Sequence, residues 1–243
     1  MEESAYRELF EAENGNWWFL GRKGQVLMFL RKFLPEKKLK ILDAGCGTGA
    51  SIEFLKEFGE VTGMDISPKA MAFCKKKGLK NVSNGDIRNM PFRNNEFDLV
   101  VGLDVLEHVK ENKKAISEFN RVLKDNGFLL LTVPAFDFLW TMRDEYMMHK
   151  KRFSRPELQK FLEKSGFKVI KISYRGLFYF FPLWIRILLF GTDIDDKNRN
   201  VIHTNWLLNT LFTFFLRIES FFMQFIDFPL GTAIIAIAQK TGG

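Results

Sequence analysis

The sequence predicts an α/β protein built on a mostly parallel β-sheet, and three observations support this. Short apolar segments alternate with helical patterns through most of the chain. One apolar segment, 38–43, runs directly into a turn with alternating glycines, after which a helix starts near Ser51. Another, 232–239, is typical of a final strand. Alternating strands and helices of this kind form parallel sheets with right-handed crossovers.

The individual elements follow from local signals. Ser67-Pro68 predicts a helix start, because serine can accept a free backbone N–H and proline suits the first helical turn. Ser154 predicts another start, and Asn126-Gly127 predicts a turn. The expected strands are 38–43, 60–65, 81–83, 97–102, 128–133, 168–174 and 232–239. The expected helices are 4–34 with an interruption at 17–23, 51–57, 68–77, 113–123, one from 155, and 205–227, with a polar loop at 193–200.

Length and composition limit the function classes. A chain of 243 residues is long enough for one α/β domain with an additional segment. The net charge of +7 allows an anionic partner but does not require one, and ordinary lysine-rich solubility is the preferred explanation. Cys46 and Cys74 are too few for a disulfide framework and no signal peptide is present, so we expect a cytoplasmic protein with free thiols. The two cysteines and three histidines are too scattered along the chain to predict a metal site.

The glycine turn predicts a nucleotide-type pocket. Without a Cβ atom, Gly45, Gly47 and Gly49 let the backbone turn tightly and leave room for a ligand against bare peptide. The start of the next helix offers unpaired N–H groups to a polar or anionic ligand. This pattern alone is ambiguous, because Gly45-x-Gly47-x-x-Ala50 followed by Asp65 also fits a dinucleotide-binding fingerprint.

Acidic residues after successive strands favour a different nucleotide pocket. Asp43 lies two residues before the first glycine, where the dinucleotide fingerprint requires no acid. Asp86 follows the third predicted strand, and the fourth runs into Asp104, Glu107 and His108. In this order and spacing, the sequence resembles the class I S-adenosylmethionine-dependent methyltransferases, in the branch called type 11, over residues 38–135.

The resemblance implies a Rossmann-like class I methyltransferase fold, with a seven-stranded, mostly parallel sheet whose last strand is antiparallel. It also implies S-adenosylmethionine as the cofactor. In the family, positions matching the glycine turn hold the methionine and ribose part, the acid matching Asp65 bonds the ribose hydroxyls, and the acid matching Asp86 meets the adenine amino group. The expected cofactor-binding residues are Asp43, Gly45, Cys46, Gly47, Gly49, Asp65, Ile66, Asp86, Ile87, Leu103 and Arg22.

The chain departs from the family pattern between the last two strands, where a tight hairpin is expected. Residues 176–230 form a long helical insertion rich in phenylalanine, and its apolar segment 177–190 is too short and broken to span a membrane. Two explanations stay open: the insertion packs on the sheet or across a homodimer, or it forms a lid over a lipidic substrate or a surface at the membrane interface. The expected domains are an N-terminal helical cap (1–37), a cofactor-binding domain (38–175), the aromatic insertion (176–230) and the last strand (231–243).

Three further motifs resemble a bacterial and archaeal subgroup whose members often accompany enzymes of glycan and surface-lipid assembly. They are Trp17-Trp18-Phe19-x-x-Arg22, the segment from Asp144 through His149 to Arg152, and the phenylalanine-rich insertion. The subgroup has histidine where this chain has Asn16. We therefore expect a hydrophobic or lipid- or glycan-linked small molecule as the acceptor, with peripheral contact to the inner face of the membrane. Arg22 suits either the methionine carboxylate or an anchor for the N-terminal helix.

Oxygen is the predicted acceptor atom. Residues 103–106 lack the Asn/Asp-Pro-Pro-aromatic motif that N-methyltransferases of nucleic-acid bases carry after this strand. A hydroxyl acceptor needs a general base, and histidine suits that role near neutral pH. The candidate catalytic residues are His149, which precedes a basic run, Asp104 and His108; His203 is expected at the surface. A non-catalytic cofactor-binding assembly subunit and an RNA or protein methyltransferase remain alternatives, although no separate RNA-binding module is present and nucleic acid is not favoured.

Overall fold

The computed structural model describes residues 3–192 and 205–242. Its centre is a seven-stranded sheet with the strand order β3-β2-β1-β4-β5-β7-β6. The strands are β1 (Leu39–Ala44), β2 (Gly59–Asp65), β3 (Val82–Asn84), β4 (Phe97–Leu103), β5 (Leu123–Pro134), β6 (Phe167–Arg175) and β7 (Ala233–Lys240). The helices are α1 (Glu3–Ala12), α2 (Trp17–Phe33), α3 (Ala50–Leu55), α4 (Pro68–Lys76), α5 (Asn112–Val122), α6 (Met142–Tyr146), α7 (Arg155–Lys164), α8 (Leu177–Phe190) and α9 (Trp206–Met223).

Six of the strands run in the same direction. The neighbours among β1 to β5 pair in parallel, and β7 lies antiparallel between β5 and β6. With the helical insertion between β6 and β7, this topology confirms the predicted fold class. The carboxyl ends of the six strands lie on one edge of the sheet, which is the edge where open α/β sheets bind ligands.

The core of the molecule is the sheet and the helices that cover its two faces. Strands buried on both faces are continuously apolar, and β4 accordingly buries all of its residues except Asp98. The helix α5 buries Ala115, Ile116, Phe119 and Val122, whose three- and four-residue spacing places them on one side of a helix. The sequence pattern therefore fixes which side of each element faces the sheet.

The N-terminal helical region differs from the prediction in its point of interruption. The break lies at 13–16, and 17–23 is helical. The side-chain oxygen of Asn16 accepts the N–H of Trp18 at 2.8 Å, so Asn16 acts as the cap of α2. The double tryptophan begins a helix and does not interrupt one.

Two other local predictions are corrected, and one is confirmed. Ser67 precedes α4 but makes no capping hydrogen bond to it with its side chain. Asn126 lies within β5 at a φ of 62°, so the predicted turn is an irregularity of that strand. Ser154 caps α7 as predicted, because its side chain accepts the N–H of Glu157. The polar loop expected at 193–200 lies outside the described residues.

Helices from opposite ends of the chain meet above the carboxyl edge of the sheet, and we call α1, α2, α8 and α9 the composite cap. The Trp17 N–H donates to the side-chain oxygen of Asn209 at 2.7 Å. The Trp17 ring contacts the rings of Phe178, Tyr179 and Phe212, with centroid distances of 5.2–6.0 Å. The helices α2, α8 and α9, which belong to the N-terminal cap and the insertion of the expected domain division, therefore contact one another directly.

A buried carboxylate joins the insertion to the sheet. Glu219 on α9 accepts the N–H groups of Gly176 and Leu177 at 2.6 and 2.9 Å, which satisfies free donors at the start of α8. The amide of Gln25 on α2 donates to the same carboxylate at 3.0 Å. One side chain thus sets the positions of α2, α8 and α9 relative to β6.

The outer side of the insertion remains apolar and exposed, and we call this surface the aromatic face. No helix among the described residues is long and apolar enough to cross a membrane. Leu189 and Phe190 are 70% and 71% exposed. The aromatic face consists of Phe181, Trp184, Ile185, Leu188, Leu189 and Phe190 on α8, Trp206, Leu207, Leu211, Phe214, Ile218 and Phe221 on α9, and Phe225 beyond it.

Candidate functional site

A cavity of about 760 Å³ opens at the carboxyl edge of the sheet, beneath the composite cap. Its volume lies in the range of small-molecule sites. Asp43 and Gly49 are not part of its lining. The other predicted site residues all line it: Arg22, Gly45, Cys46, Gly47, Asp65, Ile66, Asp86, Ile87, Leu103, Asp104, His108 and His149.

The glycine turn presents bare backbone to this cavity. Gly45, Gly47 and Gly49 have φ values of 81°, 53° and 83°, a region that glycine enters without strain. A Cβ atom on Gly45 would lie 2.3 Å from Val105, and one on Gly49 would lie 2.4 Å from Leu79. Gly47 faces open space. The turn is therefore packed tightly at both ends and accessible to a ligand in the middle.

Asp65 ends β2 and holds the glycine turn in place. Its Oδ2 accepts the N–H of Gly47 at 2.9 Å, and its Oδ1 accepts the N–H of Ser67 at 2.8 Å. Burial raises the pKa of Asp65, against the opposing effect of these two hydrogen bonds. Each carboxylate oxygen has a second acceptor position, which suits the hydroxyl groups of a ligand.

Asp43 lies behind the turn and has a different environment. Its Oδ2 accepts the hydroxyl of Ser51 at 2.5 Å, and its Oδ1 has no partner among the described residues. Burial raises the pKa of Asp43 to about 7, although the Ser51 hydrogen bond lowers it. Asp43 thus joins β1 to the start of α3, and the structure does not place it against the cavity.

The residues after β2 and β3 form a wall that combines an ion pair with two isoleucine side chains. Asp86 pairs with Arg88, whose Nη2 lies 2.6 Å from Oδ2, and this hydrogen bond lowers the pKa of Asp86. Ile87 is buried, whereas Ile66 is exposed at the cavity. Two apolar side chains and one carboxylate suit a planar heterocycle that carries a hydrogen-bond donor.

Asp104 occupies the loop after β4 with a φ of 53°. Its Oδ2 lies 2.5 Å from Nη1 of Arg22, and its Oδ1 accepts the hydroxyl of Thr132 at 2.7 Å. Burial raises the pKa of Asp104, but the positive charges of Arg22 and Arg175 outweigh it, so the pKa lies below its ordinary value. Arg22 is therefore engaged by Asp104 and links α2 to the floor of the cavity.

Arg175 lies behind this ion pair, at the end of β6. Burial lowers its pKa to about 10, which leaves it charged at neutral pH. Its guanidinium carbon lies 4.7 Å from the ring centroid of Trp18, a cation–π contact, and neither Nη atom has a hydrogen-bond partner among the described residues. Trp17 and Trp18 both line the cavity, and Trp17 is also part of the aromatic packing of the composite cap.

Two histidines and a carboxylate meet at the far end of the cavity, and we call Glu107, His108 and His149 the Glu–His–His cluster. One potential ligand atom from each residue lies within 4.8 Å of the others. Nδ1 of His149 is 2.8 Å from Oδ1 of Asp144, and Arg152 binds that carboxylate through two nitrogens at 2.8 and 2.9 Å. The two imidazole rings pack edge to face at 4.9 Å.

The charges of the cluster depend on its burial. Burial and the negative charge of Asp104 raise the pKa of Glu107 well above its ordinary value. Burial and the neighbouring His149 lower the pKa of His108 to about 4, so its ring is neutral at physiological pH. Burial raises the pKa of Asp144, but its hydrogen bonds with His149 and Arg152 outweigh this effect and hold the pKa well below its ordinary value.

Two histidines that are far apart in the sequence lie together in the structure. His108 and His149 are 41 positions apart in the chain, yet the loops after β4 and β5 bring their rings into contact. Glu107, Asp144 and Arg175 have no predicted role in the sequence, and the structure distinguishes them by their burial. His203 lies outside the described residues.

Comparison with known proteins agrees with this geometry. A family described as a methyltransferase domain matches residues 42–131. An uncharacterised protein of Methanocaldococcus jannaschii is 36% identical over 67% of this chain and 68% of its own length. Demethylmenaquinone methyltransferase of Staphylococcus epidermidis is 32% identical over 59% of this chain and 67% of its own length.

The chain belongs to the class I S-adenosylmethionine-dependent methyltransferases. A chain from the complex between the Haloferax volcanii Trm112 methyltransferase activator and a methyltransferase has a TM-score of 0.64. The match covers 99% of this chain and 95% of that one at 16% identity. At this identity, the structural likeness shows that the two share a fold.

The methyltransferase uses S-adenosylmethionine as its cofactor, and the residues present fit that group. The backbone at Gly47 is open to the cavity, where a Cβ atom meets nothing within 4 Å. Asp65 keeps acceptor positions for hydroxyl groups. Asp86 lines the cavity together with the apolar side chains of Ile66 and Ile87. These groups match, in order, the backbone, ribose and adenine requirements of the cofactor.

Proposed function

We propose that this methyltransferase transfers a methyl group to a hydroxyl oxygen of a hydrophobic small molecule, free or linked to a lipid or glycan. The observation that carries this proposal is the position of α8. Tyr179, Leu183 and Arg186 of α8 line the cavity, while Leu189 and Phe190 near the end of the same helix are exposed. One helix therefore connects the reaction site to a large apolar surface.

The aromatic face supports a hydrophobic source for the acceptor. Exposed apolar positions recur at three- and four-residue steps on both α8 and α9, so each helix turns an apolar side outward. Surfaces of this kind mark contacts with a protein partner or a membrane. The net charge of +7 favours the anionic surface of a membrane, and we propose peripheral contact there.

A relative supports an acceptor of the same type. The name of the Staphylococcus epidermidis relative gives demethylmenaquinone as its substrate. Quinones of this type are hydrophobic, and a compound of this class suits a cavity whose walls include Leu183 and Met142. Menaquinone carries its methyl group on a ring carbon, so this relative supports the hydrophobic class of the acceptor and not its atom. The acceptor class is therefore proposed from the cavity, the aromatic face and this relative together.

We assign the cofactor-binding roles as follows. The bound cofactor supplies an electrophilic methyl group on a sulfonium, so the protein mainly has to align the acceptor and exclude water. Backbone groups around Gly47 and the carboxylate of Asp65 hold the methionine and ribose part. Asp86 and its apolar neighbours hold the adenine. Because Arg22 is paired with Asp104, it contacts the cofactor only as part of that ion pair.

The acceptor end needs a group that removes the hydroxyl proton, and His149 is the proposed one. Asp144 accepts from Nδ1–H of the ring in this assignment, which leaves the lone pair of Nε2 directed to the cavity. Arg152 fixes Asp144, so the imidazole is held in one orientation. His108 packs against His149, and Asp104 holds the loop after β4 in place. In this proposal His108 and Asp104 are positioning residues for the part of the cavity that binds the acceptor.

The proposal is tested by incubating the protein with methyl-labelled S-adenosylmethionine and whole extract of its source cells. Label in the organic phase, with the methyl group found on oxygen by mass spectrometry, is the expected result. Label in RNA or protein would contradict the substrate class, and absence of label in every fraction would favour a non-catalytic assembly subunit. The Asp65→Ala variant controls for label transferred by other enzymes of the extract.

A further inference from the structure

We propose that the Glu–His–His cluster binds a divalent transition-metal ion at the acceptor end of the cavity. The three residues lie on two loops, after β4 and after β5, and all three line the cavity. The inference rests on the proposed function for its chemical purpose, but the metal site itself stands on the geometry alone.

The separation of the three side chains suits one ion between them. Their potential ligand atoms lie within 4.8 Å of one another, and Nε2 of His149 is 3.9 Å from Oε1 of Glu107. Nitrogen and oxygen ligands bind such ions at about 2.0–2.2 Å, which places pairs of ligands roughly 3 to 4 Å apart. A distance of 3.9 Å is too long for a hydrogen bond, so the two side chains do not satisfy each other.

Glu107 is the group that most needs a partner. It is completely buried, and neither carboxylate oxygen has a hydrogen-bond partner among the described residues. A buried carboxylate without a partner is costly, and native proteins usually pair such groups or bind them to a metal. A cation between Glu107 and the two imidazoles would remove that cost.

The surroundings of His149 resemble those of a metal ligand. A ligating imidazole almost always gives its other nitrogen to a carboxylate or a backbone carbonyl, which fixes the tautomer. His149 gives Nδ1 to Asp144, and Arg152 holds Asp144 in turn. One nitrogen of His149 is therefore engaged and Nε2 is left for an ion, and the ring of His108 packs edge to face against this imidazole.

The ligand set indicates the kind of metal. Two imidazoles and one carboxylate suit manganese, iron, cobalt or zinc, whereas magnesium and calcium prefer all-oxygen sites. Three protein ligands also leave coordination positions open, which is typical of catalytic sites and not of structural ones. Because all three residues line the cavity, the open positions of a bound ion would be accessible to an acceptor there.

An ion in this place would activate the acceptor hydroxyl. A metal-bound hydroxyl loses its proton more readily than a free one, as bound water does. In the overall reaction the O–H bond breaks and its proton goes to solvent, the O–CH₃ bond forms, and the S–CH₃ bond breaks with its electron pair left on sulfur. With the metal bound, Nε2 of His149 is a ligand, and the metal takes over the role proposed above for that nitrogen as a base.

The test measures metal binding directly, without cofactor or acceptor. The full-length protein is freed of any affinity tag, treated with chelator and titrated with Co²⁺, followed by its visible absorption and by calorimetry. We expect one Co²⁺ per chain for the wild type. Glu107→Gln and His149→Asn should each weaken binding more than about 100-fold, and Asp144→Asn about 10- to 100-fold.

Glu145→Gln is the matched control, since it removes one exposed carboxylate next to Asp144 without touching the cluster. It should bind Co²⁺ as the wild type does, and circular dichroism checks that every variant is folded. A wild type that binds no Co²⁺, or a folded Glu107→Gln variant that binds it equally well, would overturn the metal site.

The catalytic part of the inference has its own readout. Methyl transfer should fall at least tenfold after chelator treatment and return on addition of Mn²⁺ or Zn²⁺. Full activity in the chelated protein would refute the role of the ion in activating the acceptor. Because binding is measured without substrates, failure of the O-methylation proposal leaves the metal-binding result interpretable.

Discussion

The complete burial of Glu107 makes a prediction that can be measured without a substrate. Replacing Glu107 with methionine keeps a side chain of similar length and removes both oxygens that lack partners. Leaving a buried polar group unsatisfied costs about 1–3 kcal/mol, and more for a charge. We therefore expect Glu107→Met to raise the free energy of unfolding of the metal-free protein by about 1–3 kcal/mol at neutral pH.

This gain in stability should depend on pH in a defined direction. The folded-state pKa of Glu107 is raised above its value in the unfolded chain, so its carboxyl group favours folding only while protonated. Wild-type stability should be lost as pH rises from about 4.3, the ordinary pKa of glutamate, towards the folded pKa. The advantage of Glu107→Met should accordingly be small near pH 4 and grow towards pH 7.

Thermal unfolding in excess chelator, at several pH values, measures the effect. For a chain of this size, 1–3 kcal/mol corresponds to a rise in melting temperature of roughly 2–12 °C. Glu145→Met, which changes an exposed carboxylate, is the control and should shift the melting temperature little. A Glu107→Met variant that is less stable than the wild type in chelator at pH 7 would refute the reasoning. Such a result would mean that the wild-type carboxylate is satisfied in the folded protein.

Three further outcomes follow from the site and the surface. Asp65→Ala should weaken S-adenosylmethionine binding at least tenfold, about 1.4 kcal/mol, by calorimetry, whereas Glu60→Ala on the same strand should not. Asp43 has a raised pKa of about 7, so it contributes stability below pH 4 that is lost as pH rises towards 7. Asp43→Asn should therefore flatten the pH dependence of unfolding over that range; an unchanged slope would contradict it. Leu189→Ser with Phe190→Ser should reduce sedimentation with anionic vesicles roughly tenfold, and equal binding by wild type and variant would exclude the aromatic face as the membrane contact.

The predicted cofactor half of the site depends on local signals. The three glycines require positive φ, and an acid at the end of β2 is placed by the sheet next to the turn. The conformation of the glycines depends on residues close in sequence. The position of Asp65 depends on parallel strands whose carboxyl ends lie at the same edge of the sheet. Asp43, which is expected among the cofactor-binding residues, does not line the cavity, and the sequence does not tell on which side of the turn its carboxylate lies.

The acceptor half could not be predicted in the same way. Its geometry depends on the loops after β4 and β5, and the path of a loop is set by packing that no local pattern encodes. Glu107 follows an apolar strand, and the sequence does not distinguish it from an exposed loop carboxylate. Its burial is visible only in the structure. The contact between α2 and α9 could not be predicted from the sequence either, because the Trp17–Asn209 hydrogen bond joins residues 192 positions apart.

That span has a consequence for the order in which the protein is made. During synthesis the glycine turn, β1 to β5 and the whole Glu–His–His cluster are made before α9, and contacts between distant positions form late. Trp17 and Gln25 therefore cannot form their hydrogen bonds to Asn209 and Glu219 until α9 has been made. A nascent chain that has already formed the glycine turn thus still lacks the part of the composite cap that α9 provides. We expect ribosome-bound chains ending before α9 to expose Trp17 to chaperones and proteases.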